Sequence, residues 1–356
     1  MSKTAGAGSR SLAAMRSAAV TVFGAYGHTG RFVVSELRER GLSTILSGRD
    51  PAKLAALQAA YAHAEIRPAS ADDPASLDAA IAGAAAVINC AGPFATTAAP
   101  VVEAALRARI PYLDIAAEIE ANADTFERFS GRAREAGIVI VPAMAFYGGL
   151  GDLLATAAIG DWPAADEICI AYGLDRWWPT SGTRVAGQVS RQRRDGRRIA
   201  FSDGRFEYRT DRAPVLEWTF PPPLGPQPVV GEFTMADTLT IARHVRVPQI
   251  RSYMTRAAVD DLSDPDVSPP EATDKSGRSA QRFLVEVVVR RGGEQCRAVA
   301  SGRDIYAVSA PLVVEAARRI LAGLVETPGA FTAGEAFDAR DFLTSLSPEP
   351  LSLSLG

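Results

Sequence analysis

The sequence predicts a two-domain α/β protein, in which an N-terminal parallel β-sheet precedes an α+β domain built on a mostly antiparallel sheet. Over residues 18–150, short apolar runs alternate with amphipathic stretches, as repeated strand–helix units require. Three glycines stand at the first junction between a strand and a helix. After Gly151 the strands lengthen, alternate with polar residues and are joined by hairpin sequences, which predicts the change of domain.

The first domain is predicted over residues 18–150. Its predicted strands are Val20–Gly24, Ser43–Ser47, Ala64–Arg67, Ala85–Cys90, Tyr112–Ile115 and Ile138–Pro142. Its predicted helices are His28–Arg40, Pro51–Tyr61, Pro74–Ala82, a segment near Pro100–Arg109, and Asn122–Ala136. The strands are nearly continuous runs of Val, Ile and Ala, which indicates burial on both faces of a parallel sheet covered by helices.

The second domain is predicted over residues 151–310. Glu167–Leu174 reads as a strand, and Phe283–Arg291 with Gln295–Gly302 reads as a hairpin. The Pro-rich segment Phe220–Pro228 and the polar segment Asp260–Ser279 are predicted to be loops.

The two ends of the chain are treated apart from these domains. Residues 311–356 are predicted to form a C-terminal helix, over Ala310–Leu324, and a tail from Pro328 that could pack back on the first domain. Residues 1–17 are rich in Ser, Ala and Gly without an apolar core, so we predict a disordered tail there rather than a signal peptide.

Composition limits the possible partners. The 356 residues are 47% hydrophobic and 22% charged, with a formal net charge of −3. We expect no nucleic-acid partner, because there is no basic excess for a phosphate backbone. No apolar run reaches the roughly 18 to 20 residues of a membrane helix, so we expect no membrane partner either. Three scattered cysteines fit a reducing, cytoplasmic location better than a disulfide framework.

The loop after the first strand predicts a Rossmann-type dinucleotide site. Its glycines follow the spacing G-x-x-G-x-x-G at Gly24, Gly27 and Gly30. The first permits the tight turn, the second lets the backbone approach the pyrophosphate, and the third allows the helix to pack closely on the strand. The N–H groups at the helix N-terminus are then free to bind phosphate. The predicted cofactor residues of this loop are Gly24, Tyr26, Gly27, His28, Thr29 and Gly30.

The end of the second strand favours NADP(H) over NAD(H). NAD enzymes place an acidic side chain there for the ribose hydroxyls, whereas this chain reads Ser47-Gly48-Arg49. Arg49 can stack on adenine and pair with a 2′-phosphate, Ser47 can donate a hydrogen bond, and Lys53 lies one helical turn further on. In the alternative reading, Arg49 and Lys53 form a solvated helix start, and Asp50 is a ribose ligand or an N-cap.

The fourth strand runs into a segment of small residues that would let the chain pass close to the middle of the cofactor. We assign this part of the cofactor site to Cys90, Ala91, Gly92, Pro93 and Phe94. Cys90 could act as a nucleophile, but no histidine stands in a recognised arrangement with it. A core or cofactor-facing thiol is favoured.

These motifs resemble the saccharopine dehydrogenase-like family, in its short form of NADP-binding oxidoreductases. The stretches that carry the resemblance are Val22–Gly30, Ser47–Arg49 with Lys53, Asn89–Phe94, Tyr112–Asp114 with Glu118, and Val141–Tyr147. It covers the first domain well and the rest in layout only. The resemblance implies that the second domain closes a cleft for a small-molecule substrate and often joins two subunits, so a homodimer is expected. The family includes amine-forming and amine-cleaving dehydrogenases and reductases of C=C or C=O bonds, and substrate identity does not transfer.

Three side chains are candidates for catalysis. Asp114 and Glu118 follow the fifth strand, where a carboxylate could bind a substrate amine or relay a proton; alternatively they are helix N-terminal charges with capping value. Tyr147 follows the sixth strand, where it could face the nicotinamide or be an ordinary packed aromatic residue.

Absent motifs narrow the chemistry further. No tyrosine has a lysine four residues later, which disfavours the short-chain ketoreductases. The chain has three lysines, Lys3, Lys53 and Lys275, none well placed for a Schiff base. Three scattered histidines do not form a zinc dehydrogenase site, and we predict no metal.

In the second domain, Arg184 and Arg191 could meet a substrate carboxylate, although the cluster from Arg191 onward also fits a solvated face. Trp177 and Trp178 look exposed, and could cap an apolar cleft or a dimer contact.

The sequence therefore favours an NADP(H)-dependent oxidoreductase acting on a small organic metabolite with a C=N, C=C or C=O bond. Two alternatives stay open: a non-catalytic NADP-binding sensor or regulatory protein, and a synthase that recycles bound NAD.

Overall fold

The computed structural model describes residues 18–61 and 64–356, so the predicted disordered tail at 1–17 lies outside the described residues. The strands are β1 (Ala19–Phe23), β2 (Ser43–Gly48), β3 (Glu65–Pro68), β4 (Ala86–Asn89), β5 (Tyr112–Asp114), β6 (Val139–Val141), β7 (Glu167–Leu174), β8 (Arg198–Ser202), β9 (Arg205–Arg209), β10 (Val215–Thr219), β11 (Pro226–Gly231), β12 (Ile250–Thr255), β13 (Arg282–Arg291), β14 (Glu294–Arg303), β15 (Gly329–Ala330) and β16 (Ser352–Leu355).

Helices cover or connect these strands. They are α1 (His28–Glu39), α2 (Pro51–Ala60), α3 (Pro74–Ile81), α4 (Phe94–Ala108), α5 (Ile119–Ala136), α6 (Gly151–Ile159), α7 (Ser181–Arg193), α8 (Ala236–His244), α9 (Arg256–Ser263), α10 (Ser309–Leu321), α11 (Ala333–Ala336) and α12 (Ala339–Thr344).

The first sheet has seven parallel strands in the order β15-β6-β5-β4-β1-β2-β3. The chain runs outward from β1 through β2 to β3 and then returns to the other side of β1 with β4. A crevice opens at such a reversal of strand order, at the carboxyl ends of the strands. The predicted parallel α/β domain is confirmed, and the sheet places the loops after β1 and β4 side by side.

Two helices of this domain begin earlier than the sequence predicts. α4 begins at Phe94 rather than near Pro100, and Pro100 lies inside it. The Glu118 carboxylate accepts the N–H of Phe94 and so satisfies an amide at the start of α4. α5 begins at Ile119 rather than at Asn122. The contact that holds the start of α4 joins residues distant in sequence, so local propensity did not reveal it.

The second sheet has the order β10-β11-β12-β7-β13-β14-β16, with β8 pairing with β12 and β9. β12 and β7 are parallel and the other pairs are antiparallel, as the prediction of a mostly antiparallel sheet requires. The predicted hairpin is β13 with β14.

The boundaries predicted for two loops are wrong. The Phe220–Pro228 loop gives way to β11 at Pro226, and the Asp260–Ser279 loop begins inside α9. β10 is a largely exposed edge strand that pairs with β11, and β11 is only partly buried and pairs in turn with β12. Their sequences therefore lack the apolar alternation that would predict strands.

The C-terminal segment contacts both sheets. α10 packs against α1 of the first domain, β15 pairs with β6 in the first sheet, and β16 pairs with β14 in the second. One buried apolar cluster is continuous from β1 and α1 through β7 and β13 to α10. The domain limits and the expected homodimer stay predictions. Within the part of the chain that the structure describes, no helix is long and apolar enough to cross a membrane.

Candidate active site

A large cleft of about 990 Å³ runs from the carboxyl edge of the first sheet to the second domain. The loop between β1 and α1 lines one end of this cleft, which we call the cofactor end. Gly24 has a φ of +86°, and a Cβ there would lie 2.8 Å from the backbone nitrogen of Ala91. A side chain at Gly24 would therefore both strain the turn and collide with the loop after β4. The close contact of these two loops forms the floor of the cleft.

The N-terminus of α1 opens onto this cleft. Gly27 is the N-cap residue, and no side chain of the described residues caps the helix. Gly27, His28 and Thr29 all line the cavity. Unpaired amides at a helix N-terminus, with the positive end of the helix dipole, suit a phosphate. His28 Nε2 is buried without a hydrogen-bond partner among the described residues, and burial lowers the pKa of His28.

The end of β2 presents a free cation beside this loop. Arg49 is exposed, lines the cleft and forms no ion pair with a described residue. Asp50 is the N-cap of α2, because its Oδ1 accepts the N–H groups of Ala52 at 3.0 Å and Lys53 at 3.1 Å. The N-cap alternative for Asp50 therefore has geometric support. Lys53 Nζ lies 3.7 Å from Asp50 Oδ2 and 5.7 Å from the ring centroid of Tyr26.

The loop after β4 is held by a buried polar chain. Asn89 Oδ1 accepts the N–H of Ala91 at 3.0 Å, and Asn89 Nδ2 lies 3.3 Å from the Tyr112 hydroxyl. That hydroxyl donates to Asp114 Oδ2 at 2.8 Å. Burial raises the pKa of the Cys90 thiol, with the Asp114 charge adding to it, which disfavours a thiolate nucleophile at Cys90.

Asp114 is fully buried and does not line the cleft. Besides Tyr112, its carboxylate accepts the N–H groups of Ala116 at 3.0 Å and Ala143 at 2.8 Å. Burial raises the pKa of Asp114 and these hydrogen bonds oppose the rise. Its contacts fit a group that fixes the ends of β5 and β6 better than one that meets a substrate.

Glu118 lines the cleft. Its Oε1 accepts the N–H of Phe94 at 3.0 Å, and the side chain is buried. Burial raises the pKa of Glu118 to about 7, with the Asp114 and Glu120 charges contributing and backbone hydrogen bonds opposing. A carboxyl group with that pKa can gain or lose a proton near neutrality, as general acid–base chemistry requires.

Tyr147 stands in the turn Phe146–Leu150, between the cofactor end and the second domain. It is 6% exposed, and its hydroxyl has no partner among the described residues. The turn is tight, because Gly148 has a φ of +123° and a Cβ there would lie 2.5 Å from the Ala143 carbonyl oxygen. Burial raises the pKa of Tyr147 well above its usual value, with Tyr306 and Asp237 adding to the rise. The side chain therefore stays a hydrogen-bond donor.

The expectation that Trp177 is exposed is wrong, because the ring is 2% exposed and lies 5.4 Å from the ring of Tyr147. Trp178 is half-buried. The Tyr306 hydroxyl accepts hydrogen bonds from Trp177 Nε1 at 3.0 Å and from the N–H of Thr180 at 3.2 Å. It also lies 2.9 Å from Thr183 Oγ1. Tyr306 thus fixes the segment that leads into α7.

The cleft gathers nearly all the predicted cofactor residues. Gly24, Tyr26, Gly27, His28, Thr29, Gly48, Arg49, Cys90, Ala91, Gly92, Pro93 and Phe94 line it. Gly30, Ser47 and Lys53 do not. Gly30 lies in α1 on the side that packs against the loop after β1, where a Cβ would be 2.2 Å from the Gly24 carbonyl oxygen. The Ser47 hydroxyl is buried without a partner among the described residues.

Sequence reasoning missed part of the lining. Ser70, Ala71 and Asp72, which follow β3, line the cofactor end, and Tyr306 lines the second-domain end. The position of Ser70–Asp72 after a predicted strand could have revealed them, since the carboxyl ends of all parallel strands meet at one edge of the sheet. No sequence pattern pointed to Tyr306. Among the residues described, no cluster of His, Cys, Asp and Glu could hold a metal ion.

Comparison with known proteins agrees with this geometry. Residues 20–141 match the protein family described as the saccharopine dehydrogenase NADP binding domain. A curated relative, a probable mitochondrial saccharopine dehydrogenase-like oxidoreductase of Arabidopsis thaliana, is 32% identical over 142 residues. That alignment covers 36% of this chain and only 31% of the relative's length.

The fold also has a solved counterpart. Apo saccharopine dehydrogenase (L-Glu forming) from Saccharomyces cerevisiae superposes with a TM-score of 0.66, covering 95% of this chain and 100% of that chain. The two are 12% identical, so this likeness shows a shared fold and no more.

Proposed function

We propose that this chain is an NADP(H)-dependent oxidoreductase, because residues 20–141 match the saccharopine dehydrogenase NADP binding domain. It transfers hydride to or from a small organic metabolite with a C=N, C=C or C=O bond. One observation carries the proposal. The dinucleotide cradle and Tyr147, whose buried hydroxyl has no hydrogen-bond partner among the described residues, line the same cleft.

The residues present fit the cofactor. Because Gly24 has no side chain, the loop after β1 packs directly against the backbone of the loop after β4. The N-terminus of α1, which no described side chain caps, can then bind the pyrophosphate through its backbone amides. Arg49 would hold the 2′-phosphate, since it lines the cleft without an internal ion-pair partner among the described residues. When bound, NADPH supplies the hydride.

Tyr147 orients and polarises the acceptor bond. Its hydroxyl is a neutral donor with nothing else to bind among the residues described, so a carbonyl oxygen or imine nitrogen would satisfy it. Its raised pKa argues against a phenolate and for a hydrogen bond that stabilises developing negative charge.

Glu118 exchanges the proton. One carboxylate oxygen is held by the Phe94 amide, and the side chain lines the cleft. With a pKa of about 7, Glu118 can donate the proton that reduction of a C=N or C=O bond consumes, and can regain one from solvent.

The test follows NADPH absorbance against a panel of imines, enones and carbonyl compounds. We expect turnover with at least one class, and Tyr147→Phe should lower kcat about 100-fold or more while leaving the Kd of NADPH unchanged. Tyr208→Phe, in the exposed strand β9, is the matched control. Tight NADPH binding without turnover of any class would overturn the proposal in favour of a non-catalytic NADP-binding protein.

The same assay tests Glu118. In the direction of reduction the protonated carboxyl group is the active form, so the rate should fall as the pH rises through about 7. Glu118→Gln keeps an acceptor for the Phe94 amide but should lower kcat and remove that pH dependence. An unchanged pH profile in this variant would exclude Glu118 as the proton donor.

A further inference from the structure

Beyond Tyr147, part of the wall of the cleft is apolar, and we call this second-domain end of the cleft the chamber. Its walls include Trp177, Phe233, Met235, Val259 and Leu262. All except Trp177 are only half-buried, so a ligand that covers them would remove apolar surface from water. This part of the cleft therefore suits an apolar ligand body.

Cations line the same chamber along α7 and β8: Arg184, Arg191, Arg194 and Arg198. Arg184 forms hydrogen bonds within the protein, because its Nη2 donates to the backbone carbonyl oxygens of Asp264 at 2.9 Å and Val267 at 3.0 Å. It ties α7 to the loop after α9. The prediction that Arg184 could meet a substrate carboxylate therefore loses support.

Arg194 and Arg198 are also engaged. Arg194 Nη1 lies 3.4 Å from Glu120 Oε1, and Arg198 Nη2 lies 2.9 Å from Glu232 Oε2. A carboxylate already offsets each of these charges.

Arg191 differs from the other three. It lines the cleft, yet it forms no ion pair or side-chain hydrogen bond with any residue that the structure describes. One turn earlier on α7, Gly187 also lines the cleft, and a Cβ at Gly187 would meet nothing within 4 Å. α7 therefore leaves open space one turn before Arg191, whose exposed guanidinium has no partner in the part of the chain that the structure describes.

We propose that the substrate of this cleft is an amphipathic anion, whose apolar body fills the chamber and whose carboxylate or phosphate group pairs with Arg191. The inference rests on the proposed function only in taking this cleft as the substrate site. Carboxylate and phosphate share the oxyanion geometry that a planar guanidinium binds through two parallel hydrogen bonds. The apolar body supplies affinity and Arg191 supplies orientation.

Two fluorescent probes with nearly the same aromatic body test the inference without knowledge of the substrate. 8-Anilinonaphthalene-1-sulfonate carries an anion, and N-phenyl-1-naphthylamine does not. Binding is measured with the full chain saturated with NADP⁺, so that the dinucleotide phosphate sites are filled. We expect Arg191→Gln to raise the Kd of the sulfonate roughly three- to tenfold and to leave the Kd of the neutral probe unchanged.

Two further variants locate the binding. Arg193→Gln is the matched control, because Arg193 lies on the same helix but pairs with Asp124 and does not line the cleft; it should change neither Kd. Gly187→Leu should raise the Kd of both probes, because the leucine side chain would occupy part of the chamber. It should not unfold α7, because leucine is a better helix former than glycine.

Displacement of the sulfonate by decanoate, decyl phosphate and decan-1-ol identifies the anion. Either anion should compete better than the alcohol with the wild-type protein, and this advantage should vanish in Arg191→Gln. Equal displacement of the sulfonate by all three compounds, or equal losses of affinity for both probes in Arg191→Gln, would overturn the inference. NADPH binding and turnover of uncharged compounds by the wild-type protein would not be affected by that result, so the proposed function would stand independently.

Discussion

Arg49 shows how much one residue decides at the cofactor site. The strand end before it carries no acidic side chain, and Asp50 is used as the N-cap of α2. Lys53 is drawn towards Asp50 and the ring of Tyr26, and does not line the cleft. Arg49 is thus the cation at this strand end that lines the cleft, and it has the planar fork that suits a 2′-phosphate.

We therefore predict that Arg49→Ala raises the Kd of NADPH roughly 10- to 100-fold, because a charge-assisted hydrogen bond to phosphate is lost. The Kd of NADH should change little, since NADH lacks the phosphate. Titration of both dinucleotides by fluorescence measures the two values. Equal losses for NADPH and NADH would show that Arg49 does not read the 2′-phosphate.

At the scale of elements, two helical glycines have opposite roles. Gly30 lies where α1 crosses the loop after β1, and a Cβ there would be 2.2 Å from the Gly24 carbonyl oxygen and 3.0 Å from that of Ala25. Gly187 in α7 faces open space. The first glycine lets α1 approach the sheet with its N-terminus at the cleft, whereas a side chain at the second would meet open space beside the cleft and would improve helix propensity.

These glycines give a matched pair of substitutions. Gly30→Ala should lower the free energy of unfolding by about 2 kcal/mol, because backbone must move to admit the methyl group, and should weaken NADPH binding. Gly187→Ala should raise the free energy of unfolding by roughly 0.5–1 kcal/mol. Urea denaturation measures both. Similar effects of the two variants would contradict the packing described for α1.

At the scale of the molecule, the C-terminal segment joins the two sheets, and its contact with the first domain centres on Glu315. This residue of α10 is 1% exposed. Its Oε2 lies 2.5 Å from Arg40 Nη1, and its Oε1 lies 2.7 Å from both Arg318 Nη2 and Arg319 Nε. Burial alone would raise the pKa of Glu315, but hydrogen bonds from Arg318 and Arg319, with the charges of Arg318 and Arg40, lower it to about 2.

Replacing Glu315 should loosen this junction in a pH-dependent way. Glu315→Gln removes the carboxylate that Arg40, Arg318 and Arg319 share. Arg40 keeps Glu36 and the buried Arg319 keeps Asp341, so we expect a loss of about 2 kcal/mol in the free energy of unfolding at pH 7. The wild-type advantage is present above the usual pKa of 4.5 and disappears as the pH falls towards 2. Urea denaturation at neutral and acidic pH measures it.

Glu103→Gln serves as the control, since Glu103 pairs with Arg132 at the surface and should contribute less than about 1 kcal/mol. A difference between wild type and Glu315→Gln that persists unchanged at acidic pH would show that the carboxylate charge is not what holds the junction.

The sequence by itself determined the parallel sheet, the order along the chain of six of its seven strands and of their helices, and the glycine loop with Arg49 beside it. These features are local: burial of a strand on both faces, a turn that needs Gly24 and a strand end without an acid all appear within a few adjacent residues.

Only the tertiary structure decided the rest of the site. It separated Asp114, with its carboxylate engaged at the ends of β5 and β6, from Glu118, which keeps access to the cleft. It also buried Trp177 against Tyr147 and left Arg191 as the unpaired arginine of the chamber among the described residues. Burial and pairing of these side chains depend on residues tens to hundreds of positions away, so no local pattern could encode them.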